Sequence, residues 1–222
     1  DGLTKLPAWM DARTAAACFS KGRTVQYLFN RVHKLKKGDT ILFHSVAGGV
    51  GSIAAQWAKA VGAVMIGTVG SEAKARIAKR QGCKHVIILG KDDLLGEVMR
   101  ITKGKGVDVV YDSIGKDTWE ESVECVRRLG LFANFGISSG LPPDFNLVLL
   151  GQKRSIFFTR CTSANYMHDD TDRQASVRHL FRMIRSGVVK IRIGQTFALK
   201  DAAKAHRALE SRATTYSTVL IP

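Results

Sequence analysis

The sequence has no closely spaced cysteines, no long apolar run and no basic-then-apolar leader at its start. Its four cysteines, Cys18, Cys83, Cys125 and Cys161, lie far apart and form no C-x-x-C pair. This spacing argues against a zinc knuckle or a dense disulfide framework and is typical of a protein in a reducing cytoplasm. Because the apolar runs are short and soon interrupted, we expect no membrane span and a cytoplasmic location.

Acidic residues are scarce relative to basic ones. The 222 residues include 34 lysines and arginines against 19 aspartates and glutamates, which gives a net charge of +15. Positive charge attracts phosphate, whether in a nucleotide, a nucleic acid or a membrane surface. The basic residues are dispersed and form no long tail, which favours a solvated basic surface over a dedicated polyanion site.

From Thr40 onward, short β-branched runs alternate with helix-like runs. The predicted strands are Thr40–His44, Ala63–Thr68, His85–Leu89, Val107–Asp112, Leu131–Phe135 and Ser155–Thr159. The predicted helices between them are Val50–Val61, Ser71–Gln81, Asp93–Ile101, Thr118–Arg128 and Phe145–Gly151. Strands that are apolar along most of their length are typical of a sheet covered on both faces. The repeated strand–helix–strand order predicts an α/β fold with a doubly wound parallel sheet of six strands.

The two ends of the chain do not continue this repeat. The residues Asp11–Phe29 indicate a helical segment that is broken near Lys21 and Gly22. Near the other end we predict a helix at Asp172–Ser186, an extended segment at Val188–Leu199, a helix at Asp201–Arg212 and a closing strand at Ser217–Ile221. We interpret these segments as parts of a neighbouring domain or as a cover over one edge of the sheet.

Positions 44–59 read HSVAGGVGSIAAQWAK, a glycine-rich turn between a predicted strand and a predicted helix. The first N–H groups of a helix lack internal partners and carry partial positive charge, so this arrangement suits a phosphate. We predict that Gly48 and Gly49 let a pyrophosphate approach, and that Gly51 lets the helix pack on the strand. Although Val46 replaces the first glycine of G-x-G-x-x-G, the context predicts a dinucleotide site; the alternative is a turn that serves only packing.

The end of the second predicted strand indicates which dinucleotide binds. In the NAD form of this arrangement, an acid about twenty residues further on holds the ribose 2′-hydroxyl. Here Gly70 and Ser71 stand at that point, and Lys74 and Arg76 follow them. The nearby Glu72 is expected to be stabilised by the helix start. Since a hydroxyl and a lysine attract a 2′-phosphate, the sequence favours NADPH over NADH, unless the basic residues form only a solvated helix face.

Four stretches of the sequence point to a family. They are FHSVAGGVGSIAAQWAKAVGAVMIGTVGS, GKGVDVVYDSIGKDTWEESVECVRRLG, NFGISSG and AHRALESRATTYSTVLIP. Together they resemble the NADPH-dependent quinone oxidoreductases, the zeta-crystallin-like, zinc-free branch of the medium-chain dehydrogenase/reductase superfamily. The resemblance implies a Rossmann-like NADPH-binding domain at 22–160, with 1–21 and 161–222 as flanking segments of a GroES-like catalytic domain. It also implies that this N-terminal catalytic domain is absent, so that the chain alone is inactive or weakly active.

The resemblance further implies contacts along the whole cofactor. Thr24 would lie near the phosphate or the nicotinamide, and Arg212 would reach a phosphate. The residues of the pyrophosphate cradle would be Ala47, Gly48, Gly49 and Val50. Those of the 2′-phosphate site would be Gly70, Ser71 and Lys74. Those of the nicotinamide side would be Ser113, Phe135, Gly136 and Ser138. Leu89 replaces a tyrosine that is common in the family at the adenosine end, which implies weaker affinity.

The implied reaction is hydride transfer from NADPH to a quinone. It requires the protein to orient the nicotinamide and exclude water, without an activated nucleophile or a metal. The sequence contains no H-E-x-x-H and no serine elbow, and we assign no catalytic residue. Cys18 is interpreted as packing and His44 as a hydrogen-bonded core or rim residue, whereas His33 and His206 are expected to lack a carboxylate partner at catalytic spacing.

Two other functions stay open. Zeta-crystallin-like proteins can bind AU-rich RNA, which the positive charge would suit, but the sequence shows no aromatic-rich RNA-binding signature and RNA is not favoured. The other alternative is a domain that holds NADPH without turnover, because the quinone pocket belongs to the absent domain. The stretch SIFFTR at 155–160 predicts an apolar edge strand, and the resemblance implies a homodimer through it.

Overall fold

A parallel sheet of six strands forms the centre of the fold. The computed structural model describes residues 3–144, 147–152 and 154–222. The strands are β1 (Thr40–Phe43), β2 (Val64–Val69), β3 (His85–Ile88), β4 (Val107–Asp112), β5 (Val126–Asn134) and β6 (Phe157–Arg160). Their order across the sheet is β3-β2-β1-β4-β5-β6, and every pairing is parallel. The predicted doubly wound, six-stranded sheet is therefore confirmed.

Helices connect the strands and cover both faces of the sheet. They are α1 (Ala12–Tyr27), α2 (Gly49–Val61), α3 (Glu72–Arg80), α4 (Leu94–Thr102), α5 (Trp119–Cys125), α6 (Leu147–Gln152), α7 (Ser163–Tyr166), α8 (Asp170–Arg185) and α9 (Ala202–Glu210). The predicted start of the sixth of these, Phe145, lies outside the described residues. Within the described part of the chain, no helix combines the length and the apolar character needed to cross a membrane.

The apolar strands separate two hydrophobic clusters, one on each face of the sheet. On β1, Ile41 and Phe43 belong to the cluster that includes residues of α1, α2 and α8, whereas Leu42 belongs to the cluster with residues of α4 and α5. Successive side chains of a strand point to opposite faces, so a strand that is buried on both faces must be apolar at every position. Continuous apolar runs in the sequence therefore predicted these strands.

The C-terminal segment returns to the glycine-rich turn. The strands β7 (Ile193–Ala198) and β8 (Ser217–Ile221) form a separate two-stranded parallel sheet. The hydroxyl of Ser217 donates to the carbonyl of Ala17 in α1 at 2.7 Å. Tyr216, just before β8, forms a parallel bridge with Gly48. The predicted helices and closing strand of this segment are confirmed, and their placement brings the loop between α9 and β8 against the carboxyl ends of the main sheet's strands.

The expected break near Lys21 and Gly22 is wrong. Helix α1 runs without interruption, and Asp11 caps its start by accepting a hydrogen bond from the N–H of Thr14 at 2.9 Å. A Cβ on Gly22 would lie only 2.3 Å from Cδ1 of Leu180 in α8. The glycine therefore permits a close approach of two helices and does not mark the end of one.

The helix predicted at Thr118–Arg128 is too long. Helix α5 stops before Val126, which begins β5, is buried, and pairs with Val107 of β4. The side chain of Arg127 forms an ion pair with Asp108 of β4, with 2.7 Å between Nε and Oδ1. These contacts with the neighbouring strand override the local helical pattern, because strand formation depends on packing and burial more than on intrinsic preference.

Candidate functional site

A groove of about 880 Å³ opens at the carboxyl ends of the parallel strands. This is the edge where open α/β sheets bind ligands, and the volume is typical of ligand pockets. The residues that line it come from the strand ends, from the start of α3 and from the loop after α9: Ser45, Ala47, Gly48, Thr68, Val69, Gly70, Ser71, Lys74, Leu89, Ile114, Ser138, Leu209, Glu210, Ser211, Arg212, Ala213 and Thr214.

The groove brings together about half of the predicted cofactor residues. Those that line it are Ala47, Gly48, Gly70, Ser71, Lys74, Ser138 and Arg212. Those that do not line it are Thr24, Gly49, Val50, Ser113, Phe135 and Gly136. The hydroxyl of Thr24 donates to the carbonyl of Ser20 within α1 at 3.1 Å. A Cβ on Gly136 would lie 2.7 Å from the carbonyl oxygen of Ser113, so the glycine lets the loops after β4 and β5 approach each other closely.

The glycines of the turn have different roles. A Cβ on Gly51 would lie 2.5 Å from Cα of Val46, so Gly51 allows the close packing of α2 that the sequence predicted. Among the described atoms, a Cβ on Gly48 would have one neighbour within 4 Å, the carbonyl oxygen of Ser45 at 3.3 Å. Gly48 is the N-cap of α2 and offers no side-chain cap, so the first N–H groups of the helix stay available to an anion.

Gly49 faces a lysine that sequence reasoning missed. A Cβ there would lie 2.4 Å from Cδ of Lys21 in α1, so this glycine accommodates the lysine stem and does not open the groove. Burial lowers the pKa of Lys21. Within the described residues, no carboxylate forms an ion pair with it. The structure thus places the half-buried cation Lys21 beside the start of α2, which no side chain caps. In the sequence, Lys21 could have been noticed because it lies on the same helix as the predicted residue Thr24.

Two cations meet at the end of the groove next to β2. Ser71 caps α3 by accepting a hydrogen bond from the N–H of Lys74 at 3.4 Å. The ammonium of Lys74 donates to the carbonyl oxygen of Arg212. Burial, and secondly the charge of Arg212, lower the pKa of Lys74. The guanidinium of Arg212 reaches Asp117, with 3.3 Å between Nη2 and Oδ2. A bound anion would relieve the repulsion between the two cations.

A buried histidine lies beneath the floor of the groove. His44 is fully buried, and its ring nitrogens are hydrogen-bonded to the hydroxyls of Thr68 at 2.9 Å and Ser122 at 2.8 Å. The interpretation of His44 as a hydrogen-bonded core residue is confirmed. Burial lowers its pKa to about 4, although Asp112 acts in the opposite direction.

Thr68, which sequence reasoning missed, connects this histidine to the turn. Its carbonyl oxygen accepts from the N–H of Val46 at 3.0 Å, and its hydroxyl oxygen accepts from the N–H of Ser45 at 3.4 Å. Ser45 has a left-handed φ of 57°, which is unfavourable for a residue with a side chain. Thr68 therefore helps to hold a strained turn; its signal was a polar residue inside the apolar strand VMIGTV.

A second buried network holds the loops after β4 and β5. The carboxylate of Asp112 accepts hydrogen bonds from the N–H groups of Ile114 at 2.8 Å and Gly115 at 3.1 Å. It also accepts from the hydroxyl of Thr118 at 3.1 Å and the side-chain amide of Asn134 at 3.0 Å. Because the oxygens of Asp112 are occupied by these donors, the network fixes the wall of the groove that carries Ile114 and Ser138, although the buried Oδ1 of Asn134 has no hydrogen-bond partner.

The remaining candidate residues lie away from the groove. His33 does have a carboxylate partner, contrary to expectation: its Nε2 lies 2.9 Å from Oδ2 of Asp39. The turn at Gly38, with φ of 91°, places this aspartate directly before β1, at the end of the strand that lies away from the groove. Burial raises the pKa of Cys18 to about 11, as expected for a packed thiol. No cluster of three potential metal ligands occurs among the residues described.

Comparison with known proteins identifies the family. The zinc-binding dehydrogenase family matches residues 49–176, more than half of the chain. A quinone oxidoreductase of Pseudomonas aeruginosa is 46% identical over 220 residues, which are 99% of this chain and 68% of that protein. The chain belongs to the quinone oxidoreductase family. This family consists of oxidoreductases of the medium-chain dehydrogenase/reductase superfamily, and the resemblance drawn from the four stretches is confirmed.

Two further members of the family show how far the likeness extends. The crystal structure of the Escherichia coli quinone oxidoreductase complexed with NADPH matches with a TM-score of 0.96 at 46% identity, covering 99% of this chain and 68% of that one. A 2-haloacrylate reductase of a Burkholderia species is 41% identical over 223 residues, 99% of this chain and 67% of that protein. The chain thus spans about two thirds of the length of these family members.

The buried state of His44 makes a testable prediction about stability. Its folded pKa of about 4 lies below the ordinary value of 6.5. The unfolded chain therefore binds more protons as the pH falls through 6.5, and stability is lost between pH 6.5 and pH 4. We expect the free energy of unfolding to fall between roughly pH 7 and pH 5 by about 2 kcal/mol more in the wild type than in His44→Gln. Urea unfolding of both proteins measures this difference.

The comparison isolates one histidine. Burial also lowers the pKa values of His85 and His179, but both residues remain in the variant and their contributions cancel in the difference. Equal pH dependence in the two proteins would contradict the neutral, buried state of His44.

Proposed function

We propose that this chain binds NADPH in the groove and forms the cofactor-binding part of an NADPH-dependent quinone oxidoreductase. The observation that carries the proposal is the juxtaposition of the open turn at Gly48 with the paired cations Lys74 and Arg212 in one groove. A relative that is 46% identical has been crystallised as its NADPH complex, which supports the choice of cofactor. The name of that relative supports a quinone as the acceptor.

The residues present fit a phosphorylated dinucleotide. At Gly48 a side chain would fill the space in front of the uncapped start of α2, where a pyrophosphate would bind to backbone N–H groups. Ser71, Lys74 and Arg212 would hold the 2′-phosphate, with Glu210 as the one carboxylate among the described residues that line the groove. The apolar Leu89 would contact the adenosine, and Ser138 would lie on the nicotinamide side. When bound, NADPH supplies the hydride.

The chain's own residues would position the cofactor and exclude water. The wall fixed by Asp112 and Asn134 and the floor fixed by His44 and Thr68 are internally hydrogen-bonded, so their geometry does not depend on solvent. Such preorganisation lowers the cost of orienting a nicotinamide against an acceptor. The groove-lining residues include no group that we assign to proton transfer.

We propose that residues 22–160 form the cofactor-binding domain and that 1–21 and 161–222 accompany a catalytic domain. The separate pairing of β7 with β8 supports this division, because these strands do not extend the main sheet. The acceptor pocket would then be completed by the catalytic domain, and the chain as given would bind NADPH with little turnover.

A charge reversal at Lys74 tests the proposed 2′-phosphate site. Lys74→Glu places a negative charge where the 2′-phosphate would lie, so we expect the affinity for NADPH to fall at least about tenfold and that for NADH to change much less. The measurement is the rise in melting temperature on titration with each cofactor. Arg76→Glu is the matched control, because Arg76 is exposed on the same helix and does not line the groove. Equal losses for NADPH and NADH in Lys74→Glu would remove the assignment.

A further prediction concerns the turnover of NADPH by the chain alone. Millimolar NADPH should raise the melting temperature of the chain, while a benzoquinone should cause little or no loss of NADPH absorbance beyond the uncatalysed rate. An unchanged melting temperature would contradict cofactor binding. Rapid oxidation of NADPH by the chain alone would contradict the proposal that another domain completes the acceptor pocket.

We also propose a homodimer through β6. This strand lies at the edge of the sheet, it pairs only with β5 among the described strands, and the side chain of Phe157 is 63% exposed. An uncovered apolar edge invites pairing with a second strand. We predict that light scattering at about tens of micromolar will find a dimer, and that Phe157→Glu will shift it to the monomer. Leu199→Glu, at an exposed apolar residue of the turn after β7, is the control. A monomeric wild type would refute the dimer.

A further inference from the structure

A charged pair borders the adenosine end of the groove, outside the residues assigned above. Glu72 is the first residue of α3, directly after Ser71 and two positions before Lys74, both of which line the groove. Lys91 follows β3, two positions after the groove residue Leu89. The ammonium of Lys91 donates a hydrogen bond to Oε1 of Glu72. The pair thus joins the ends of β2 and β3 along the rim of the groove.

The position of Glu72 is electrostatically awkward for an NADPH site. An acid at the end of the second strand favours a ribose 2′-hydroxyl, because its carboxylate accepts a hydrogen bond there and repels a 2′-phosphate. Glu72 lies next to that position in the sequence, between Ser71 and Lys74, and no other acid lies between Gly70 and Gly90. Its charge would oppose the attraction that Lys74 and Arg212 exert on a phosphate.

The contact with Lys91 removes this conflict. The ammonium neutralises the carboxylate and ties it to the loop that follows β3, next to Leu89. The two side chains are 63% and 61% exposed, and ion pairs at such exposure contribute little to folding stability. The pair is therefore expected to matter less for folding stability than for the local charge beside the groove, where the ammonium opposes the charge of Glu72.

We propose that Lys91 is a specificity-determining residue: it neutralises Glu72 and thereby allows the adenosine end of the groove to accept a 2′-phosphate. This inference rests on the proposed NADPH function and identifies a residue that the glycine turn, Lys74 and Arg212 do not include. Lys91 acts through Glu72 and is not assigned a direct contact with the cofactor.

A double-mutant cycle tests the inference by measuring dissociation constants for NADPH and NADH. Lys91→Ala leaves Glu72 unpaired, so we expect NADPH to bind about three- to tenfold more weakly, with NADH unchanged or slightly tighter. Glu72→Gln should leave NADPH binding unchanged or slightly tighter. The double variant Glu72→Gln/Lys91→Ala should restore NADPH binding to within about twofold of the wild type. The loss in Lys91→Ala should shrink in about 1 M salt, where exposed charges are screened.

A second exposed pair in the chain provides the control. Arg100 and Glu97 on α4 form an ion pair with 2.7 Å between Nη2 and Oε2, and neither residue lines the groove. Arg100→Ala removes one positive charge and breaks an exposed pair, as Lys91→Ala does, and it should leave both cofactor affinities unchanged. Melting temperatures without cofactor report whether each variant is folded.

The outcomes separate this inference from the proposed function. Equal losses of NADPH affinity in Lys91→Ala and in the double variant would overturn it, because Lys91 would then act by direct attraction and not through Glu72. An unchanged affinity in Lys91→Ala would also overturn it, even where Lys74→Glu shows the predicted loss. If the wild type does not prefer NADPH to NADH, the proposed function and this inference fail together.

Discussion

The site depends on one constraint: the backbone N–H groups at the start of α2 must stay open to an anion while the turn before them stays rigid. The turn is held on three sides. The N–H of Gly48 donates to the carbonyl of Ser45 at 3.0 Å, that of Val46 donates to Thr68 at 3.0 Å, and the carbonyl of Ala47 accepts from Tyr216 at 2.9 Å. These bonds use backbone groups of residues 45–48, including the N–H of Gly48, and no side chain caps α2, so the turn is fixed while the following N–H groups of the helix start lack a side-chain partner.

The electrostatics of the groove follow from this arrangement. Its floor contains a histidine kept neutral by burial, with a pKa of about 4, and a carboxylate whose oxygens are occupied by internal donors. Its rim carries the cations Lys74 and Arg212. The floor therefore adds no competing anion at the surface of the groove, and the partly buried Lys74 would interact with a phosphate more strongly than in bulk water, whereas the side chain of Arg212 is 72% exposed.

Sequence patterns predicted the sheet and the turn because both are encoded locally. Strands buried on both faces must be apolar throughout, and position 51 needs glycine because a Cβ there would lie 2.5 Å from Cα of Val46. The failures have the opposite origin. Gly22 was interpreted as a helix break, but a glycine is needed there because Leu180 packs against it. Val126 was predicted to be helical, but it lies in a strand because it pairs with Val107. Neither partner lies within the window that a local pattern covers.

The same distinction explains the site. Of the predicted residues that line the groove, Gly48, Gly70, Ser71 and Lys74 follow strand ends or begin the next helix, where the topology brings them together, whereas Ala47, Ser138 and Arg212 were supplied by the resemblance. Lys21 approaches Gly49 from α1, and the loop that contains Arg212 meets Lys74 across 138 positions of the chain. These contacts depend on how the N- and C-terminal segments fold back over the sheet. The groove therefore depends on two levels of structure: the parallel sheet brings the strand ends together, and the returning segments add the charged residue Arg212 to its lining.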